Sequence, residues 1–252
     1  MCARCGDTVD RLAIDLAEAE VPSCRTCRLA APPFVRAVSY GPYTGRMREA
    51  VHALKYQKLH PASRRLGRML ASAVAQLQPA TGDDLLVVPV PLHRSKRSER
   101  GFNQTSLLAA AAVRALRESH PQWRLTLASG VLVRHRATGS QAGLTPRQRR
   151  LNVRNAFRVP NPAALAGRHI LVVDDILTTG ATVRSASRAL VAAGAASVWV
   201  ATLARARRIS AVGFNAASPK MTVNPGISVH AAGEELAVQR IQARTNDLSD
   251  GG

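Results

Sequence analysis

Two groups of residues in this chain have the types and spacing that chemistry needs. The first is the run Ile170-Leu171-Val172-Val173-Asp174-Asp175-Ile176-Leu177-Thr178-Thr179-Gly180-Ala181-Thr182. Its apolar part continues a strand, His169–Val173, and a helix opens at about Ala181, so the hydroxyl-rich turn lies where strand gives way to helix. A helix start leaves its first amide groups unpaired and carries the positive end of the dipole, which together suit a phosphate. Gly180 lets the backbone approach that anion closely. Paired carboxylates beside a phosphate cradle conflict unless the ligand is a sugar phosphate. Asp174 and Asp175 can then accept hydrogen bonds from vicinal ribose hydroxyls while Thr178, Thr179, Gly180, Ala181 and Thr182 hold the 5′-phosphate. No GxxxxGK[ST] occurs, which disfavours nucleoside triphosphate hydrolysis, and GxGxxG is absent as well.

The second group is Cys2-x-x-Cys5 and Cys24-x-x-Cys27, which holds every cysteine of the chain. A two-residue gap turns both sulfurs of a pair onto one ion, and two pairs complete a tetrahedral thiolate shell for Zn²⁺. Four thiolates leave no open position, so such zinc is structural rather than catalytic. A redox dithiol pair is the other chemistry open to these residues. Cys2 follows the first Met directly, so either the start lies further upstream or this module is loosely held. Residues 6–23 carry five carboxylates and read as an acidic helix or hairpin between the knuckles.

The elements that must position these groups follow from the apolar pattern. Residues 34–40 alternate like a strand, 44–58 and 61–78 read as helices, and Leu66, Leu70, Ala73, Val74 and Leu77 mark the second helix's buried face. Residues 85–90 are continuously apolar, as in a parallel strand covered on both faces. A basic loop at 91–101 precedes a helix at 103–118; short strands fall at 130–133 and 156–159, and a buried strand at 197–203. Alternating strands and helices imply an α/β domain with a mostly parallel sheet. The expected organisation is a zinc module at 1–33, an α/β domain at 34–208 and a largely disordered tail at 209–252, with a short helix at 234–244.

Composition narrows the rest. With 252 residues, 46% hydrophobic, the chain can bury a core, and 4% aromatics argue against a base-stacking platform. No apolar run approaches the roughly 18 residues of a membrane helix, and no secretion segment opens the chain, so a cytoplasmic protein is expected. The net charge is +19. Between Leu85 and Val173 there are 15 basic residues and two acidic ones, Glu99 and Glu118, so the basicity is concentrated in the middle. Binding of a phosphorylated ligand or of nucleic acid accounts for that concentration; a solvated basic face is the plainer alternative.

The run at 170–182 resembles the binding signature of phosphoribosyltransferases: four apolar residues, Asp-Asp, two residues, then Thr-Thr-Gly-x-Thr. Two further stretches resemble the ComF family of competence proteins. One is Val88-Pro89-Val90-Pro91-Leu92-His93 with Arg100-Gly101-Phe102-Asn103-Gln104. The other is Arg134, Arg136, Thr138, Gln141, Leu144, Arg149, Asn152 and Phe157. The resemblance covers roughly 1–205. It implies a type I phosphoribosyltransferase fold with phosphoribosyl pyrophosphate (PRPP) and Mg²⁺ as ligands, Asp174 and Asp175 on the ribose hydroxyls, and Thr178–Thr182 on the 5′-phosphate. Pyrophosphate contacts are then expected from Arg94 and Arg97 in the loop at 92–100. Arg134 and Arg136 are expected on a lid at 134–150. The family's association with DNA uptake implies competence proteins as partners. It also leaves open a second function, a non-catalytic accessory that binds PRPP or single-stranded DNA. A regulator of transcription lacks its helix-turn-helix.

Overall fold

The computed structural model of the protein describes residues 1–9, 22–56, 60–77, 84–136 and 145–206. Its strands are β1 (Ala37–Pro42), β2 (Asp84–Pro89), β3 (Arg124–Leu127), β4 (Val133–Arg134), β5 (Phe157–Arg158), β6 (His169–Leu177) and β7 (Ser197–Arg205). Its α-helices are α1 (Arg25–Leu29), α2 (Gly45–Tyr56), α3 (His60–Ala75), α4 (Arg94–Arg100), α5 (Gln104–Ser119), α6 (Pro146–Asn152) and α7 (Ala181–Ala192). Among the described residues, a parallel sheet runs β1-β7-β6-β2-β3, and β4 pairs antiparallel with β5 outside it. This is the phosphoribosyltransferase type of parallel sheet flanked by helices, with a small four-cysteine module at its amino-terminal end.

The continuous apolar strands are explained by cover on both faces. Successive side chains of a strand alternate, so Leu171 and Val173 of β6 join one core cluster while Ile170 and Val172 join another. Helices α2, α3 and α5 lie over the first face; α7, the β4–β5 ribbon and the cysteine module lie over the second. The buried face anticipated for α3 is the one observed, with Leu66, Leu70, Ala73 and Val74, and Leu77 in the turn that follows, at most 4% exposed.

This arrangement fixes where a ligand can sit. From β2 the chain passes through α5 to β3 on one side, and from β6 through α7 to β7 on the other. Neighbouring β2 and β6 therefore send their connections apart, opening a crevice beyond their carboxyl ends. Both the Asp174-Asp175 pair and the segment following Pro89 emerge into it.

Several elements differ from the sequence expectation. Strand β6 runs on to Leu177, because Asp174, Ile176 and Leu177 stay paired with Thr202, Ala204 and Arg205 of β7. The acids are thus part of the strand rather than beyond it. The basic loop contains α4, with His93 as N-cap accepting from the Ser95 amide. Strand β3 and helix α6 have too few apolar residues to show a period. The first knuckle is also held more firmly than its position suggests: the Ala37 amide donates to Arg4 O at 2.7 Å, and Arg205 pairs with Asp7 at 3.0 Å. The acidic element expected between the knuckles falls largely on 10–21, and the expected tail on 209–252, both outside the described residues.

Helices α3 and α5 meet at Gly67, where an added Cβ would lie 2.3 Å from Ala111 Cβ. Gly67→Ala gains up to about 1 kcal/mol in helix propensity. Overpacking two Cβ atoms should outweigh that, for a net loss of about 1–2 kcal/mol in urea unfolding. A stabilised Gly67→Ala variant would contradict this close packing.

Candidate functional site

The acidic end of β6 lies in the crevice. As consecutive strand residues, Asp174 and Asp175 face opposite sides of the sheet. Asp175 is 5% exposed and turns toward α2 and α5, where its Oδ2 accepts from Lys55 Nζ at 2.9 Å and from Gln104 Nε2 at 3.1 Å. Asp174 is half-buried; its Oδ1 accepts from the Asp175 amide at 2.9 Å, and Lys55 and Arg134 of β4 both act on it electrostatically.

Burial, then the neighbouring Asp175 charge, push the Asp174 carboxyl up to about 7, and Lys55 and Arg134 only partly oppose them. Burial alone would lower the Lys55 ammonium, but Asp175, joined by Asp174 and Tyr43, outweighs it and holds the group above its usual value. Lys55 is therefore a permanent cation here.

Gln104 is placed by its neighbours. Asn103 caps α5 by accepting from the Thr105 amide, and donates through Nδ2 to Val90 O at 3.1 Å. Thr105 Oγ1 donates to the same carbonyl at 2.6 Å. The start of α5 is thereby pinned to the segment after β2, which delivers Gln104 to Asp175. Gln104 is 4% exposed, yet its Oε1 has no hydrogen-bond partner among the described residues. A buried, unpaired acceptor beside a carboxylate suits a ligand that brings donors.

Beyond β6, Gly180 takes a left-handed conformation (φ 74°) and starts α7, and Ala181 N donates to Thr179 Oγ1 at 3.3 Å. Thr178, Thr179 and Thr182 are half-buried at the mouth of this turn. Carboxylate and hydroxyl oxygens such as those of Asp174 and the threonines are the type of donor that Mg²⁺ takes.

The four arginines singled out in the sequence separate. Arg94 and Arg97 are exposed on α4, which follows β2 at the crevice. Arg134 lies over the Phe157 ring, 5.6 Å from its centroid. Arg136 turns elsewhere: its Nη2 donates to the carbonyls of Leu151, Asn152 and Arg154 at 3.4, 3.0 and 2.7 Å, closing the carboxyl end of α6. Residues 137–144 of the expected lid lie outside the described residues. Sequence reasoning missed Lys55 and gave Gln104 no role. Lysine is rare in this arginine-rich chain, and that rarity was the available signal at Lys55.

The cysteines form one cluster, with the sulfurs of Cys2, Cys5, Cys24 and Cys27 all within 4.8 Å of one another. Thiolates bound tetrahedrally to zinc lie about 3.8 Å apart, and Cys5 and Cys24 are at 3.6 Å. The cluster can hold a metal ion. Arg184 Nη2 approaches Cys27 Sγ and Arg205 Nη2 approaches Cys5 Sγ, each at 3.7 Å. Arg184 stands four residues after Gly180 on α7 and Arg205 pairs with Leu177 of β6, so both elements flanking the turn are tied to the cluster.

Comparison with known proteins bears on this arrangement. The phosphoribosyl transferase domain family matches residues 106–233. DNA utilization protein YhgH of Escherichia coli (strain K12) is 34% identical over 207 residues, 81% of this chain and 84% of that protein. Competence protein F of Haemophilus influenzae is 28% identical over 208 residues, 81% of this chain and 84% of its own. Among solved structures, a hypoxanthine phosphoribosyltransferase from Staphylococcus aureus aligns at 11% identity and a TM-score of 0.35, over 58% of this chain and 64% of that one.

The raised Asp174 carboxyl has a consequence for stability. The folded state binds its proton more tightly than the unfolded chain, so this group costs little near pH 4, progressively more as pH rises toward 7, and a constant amount above. Asp174→Asn should therefore raise the thermal midpoint more at pH 8 than at pH 5. An equal change at both would show that Asp174 ionises normally.

Proposed function

The chain belongs to the ComF family of competence proteins, with its phosphoribosyl transferase domain, and from that premise we propose that it binds Mg·PRPP and transfers the phosphoribosyl group to an acceptor during cytoplasmic handling of DNA. The observation that carries this reading is the acid pair near the end of the central strand, with a left-handed glycine and a helix start five residues further on, at the crevice between β2 and β6.

In this reading Asp174 and Asp175 accept from the ribose hydroxyls, and the turn from Thr178 to Thr182 takes the 5′-phosphate on main-chain amides and hydroxyls. Arg94 and Arg97 face the pyrophosphate, and Arg134 lends positive charge beside Asp174. Arg136, closing α6, instead holds in place the segment that follows 137–144. The reaction is a substitution at the anomeric carbon. The bond to the pyrophosphate oxygen breaks with its electron pair leaving on pyrophosphate, the acceptor's lone pair forms the new bond, and the acceptor's proton passes to solvent or to the departing pyrophosphate. Binding energy from the remote 5′-phosphate positions the sugar for that displacement. Mg²⁺, when bound, offsets charge on the pyrophosphate. The cysteine cluster holds zinc with a structural role.

A second reading, an accessory that binds single-stranded DNA without turnover, is favoured by a basic groove over α3 and α5. Arg64, Arg68 and Arg114 line it, with Glu118 as its acid. Phosphate contacts there would give binding that weakens steeply with salt.

Calorimetry should detect Mg·PRPP binding by the whole protein, and Asp175→Asn should weaken it at least 100-fold; unchanged affinity in that variant would overturn the site. Pyrophosphate release across a panel of acceptors, set against salt-dependent binding of single-stranded DNA, separates the two readings. Elemental analysis should find one zinc per chain. Cys24→Ser should lose it and lower the thermal midpoint by roughly 5–10 °C. A metal-free protein whose cysteines cycle between thiol and disulfide would contradict the structural zinc.

A further inference from the structure

The pairing of Lys55 with Asp175 does not resemble a finished structural salt bridge. Lys55 is the penultimate residue of α2 and reaches the acidic end of β6 from the helical face opposite Asp174. Its side chain is 19% exposed, so one side of it opens toward solvent, whereas the Asp175 side chain is 8% exposed. Gln104 shares the same carboxylate oxygen and keeps its own Oε1 unpaired among the described residues. A closed network would satisfy that acceptor. Here two donors converge on one side of Asp175 and an unused acceptor remains beside them, the pattern of a site whose remaining partner arrives with a ligand.

Charge points the same way. Two carboxylates in a half-buried crevice attract a dication strongly when nothing offsets them. Lys55, at 2.9 Å from Asp175, and Arg134, which acts on Asp174, offset part of that charge. A lysine also differs from an arginine in being a compact charge on a flexible stem, able to leave one carboxylate for another anion by rotation of its own side chain.

We propose that Lys55 is a resident counter-ion that shields Asp175 from free divalent cations and transfers its contact to the pyrophosphate when Mg·PRPP binds. The proposal rests on the reading of the site under Proposed function. It makes Lys55 a positioning residue for Asp175 in the free protein and a ligand contact in the complex. Cation and sugar diphosphate then enter together. Free metal finds the carboxylates already matched, and the phosphates draw off the ammonium as the ribose hydroxyls replace it on Asp175 and meet Gln104 Oε1.

The test uses the full chain at pH 8, with Mn²⁺ alone followed by electron paramagnetic resonance and Mg·PRPP followed by calorimetry. Lys55→Met should bind Mn²⁺ at least tenfold more tightly than the wild type and Mg·PRPP at least tenfold more weakly. Lys55→Arg, which keeps the charge, should leave Mn²⁺ binding as weak as in the wild type. A merely structural lysine moves both affinities in one direction or neither. Lys55→Gln, which retains a donor for Asp175, should give the same opposed changes if Lys55→Met does not fold. Mn²⁺ affinity within twofold of wild type in the neutral variants would overturn the shielding, and unchanged Mg·PRPP affinity would overturn the transfer. Wild-type protein that binds no Mg·PRPP would instead contradict the proposed function, while the Mn²⁺ measurement still decides whether Lys55 shields Asp175.

Discussion

Two adjacent carboxylates at the buried end of a central strand are an electrostatic problem that the surrounding structure is arranged to answer. Each burdens the other, and burial removes the water that would separate their charges. Asp174 responds by holding its proton up to about pH 7, and Asp175 by engaging Lys55 and Gln104. Because strand alternation sends the two side chains to opposite faces, cations must come from both layers: Lys55 from α2 on one, Arg134 from β4 on the other. The result is a pair of buried acceptors with positive charge on both sides of the sheet.

The cysteine module belongs to the same architecture. It contributes to the core over one face of the sheet, and through Arg184 and Arg205 it contacts α7, which follows the hydroxyl-rich turn, and the end of β7, which pairs with Leu177 before it. Each guanidinium also binds a second group, Arg184 the carbonyl of Ala30 at 3.0 Å and Arg205 the carboxylate of Asp7 at 3.0 Å. A metal ion held by these cysteines would brace the turn through the same two arginines.

What could be read from sequence was whatever is local. The strand, acid pair, turn and helix between His169 and Ala192 lie in one short run whose apolar period and glycine placement specify each part, and the two Cys-x-x-Cys pairs specify a common centre. The long amphipathic helices followed from periodicity for the same reason. Elements with little apolar content, α4 and α6, had no period to reveal them, and β3 is four residues long. Lys55 escaped because its partner is 120 positions away and no local pattern connects a lysine on α2 to an acid on β6. The bonds of Arg136 were hidden for the same reason: an arginine in a basic stretch gives no local sign that it donates to carbonyls 15 to 18 residues later. Gln104 closes the Arg100–Gln104 motif, but only the folded start of α5 explains why Asn103 and Thr105 accompany it.

The most direct examination of the central claim is a crystal structure with Mg²⁺ and PRPP bound. The account predicts the 5′-phosphate on the amides between Thr178 and Thr182, the ribose hydroxyls on Asp174 and Asp175, and Lys55 moved from Asp175 to the pyrophosphate. A ligand seated elsewhere, or a sugar in the crevice with Lys55 still bonded to Asp175 and neither acid touching the ribose, would contradict it.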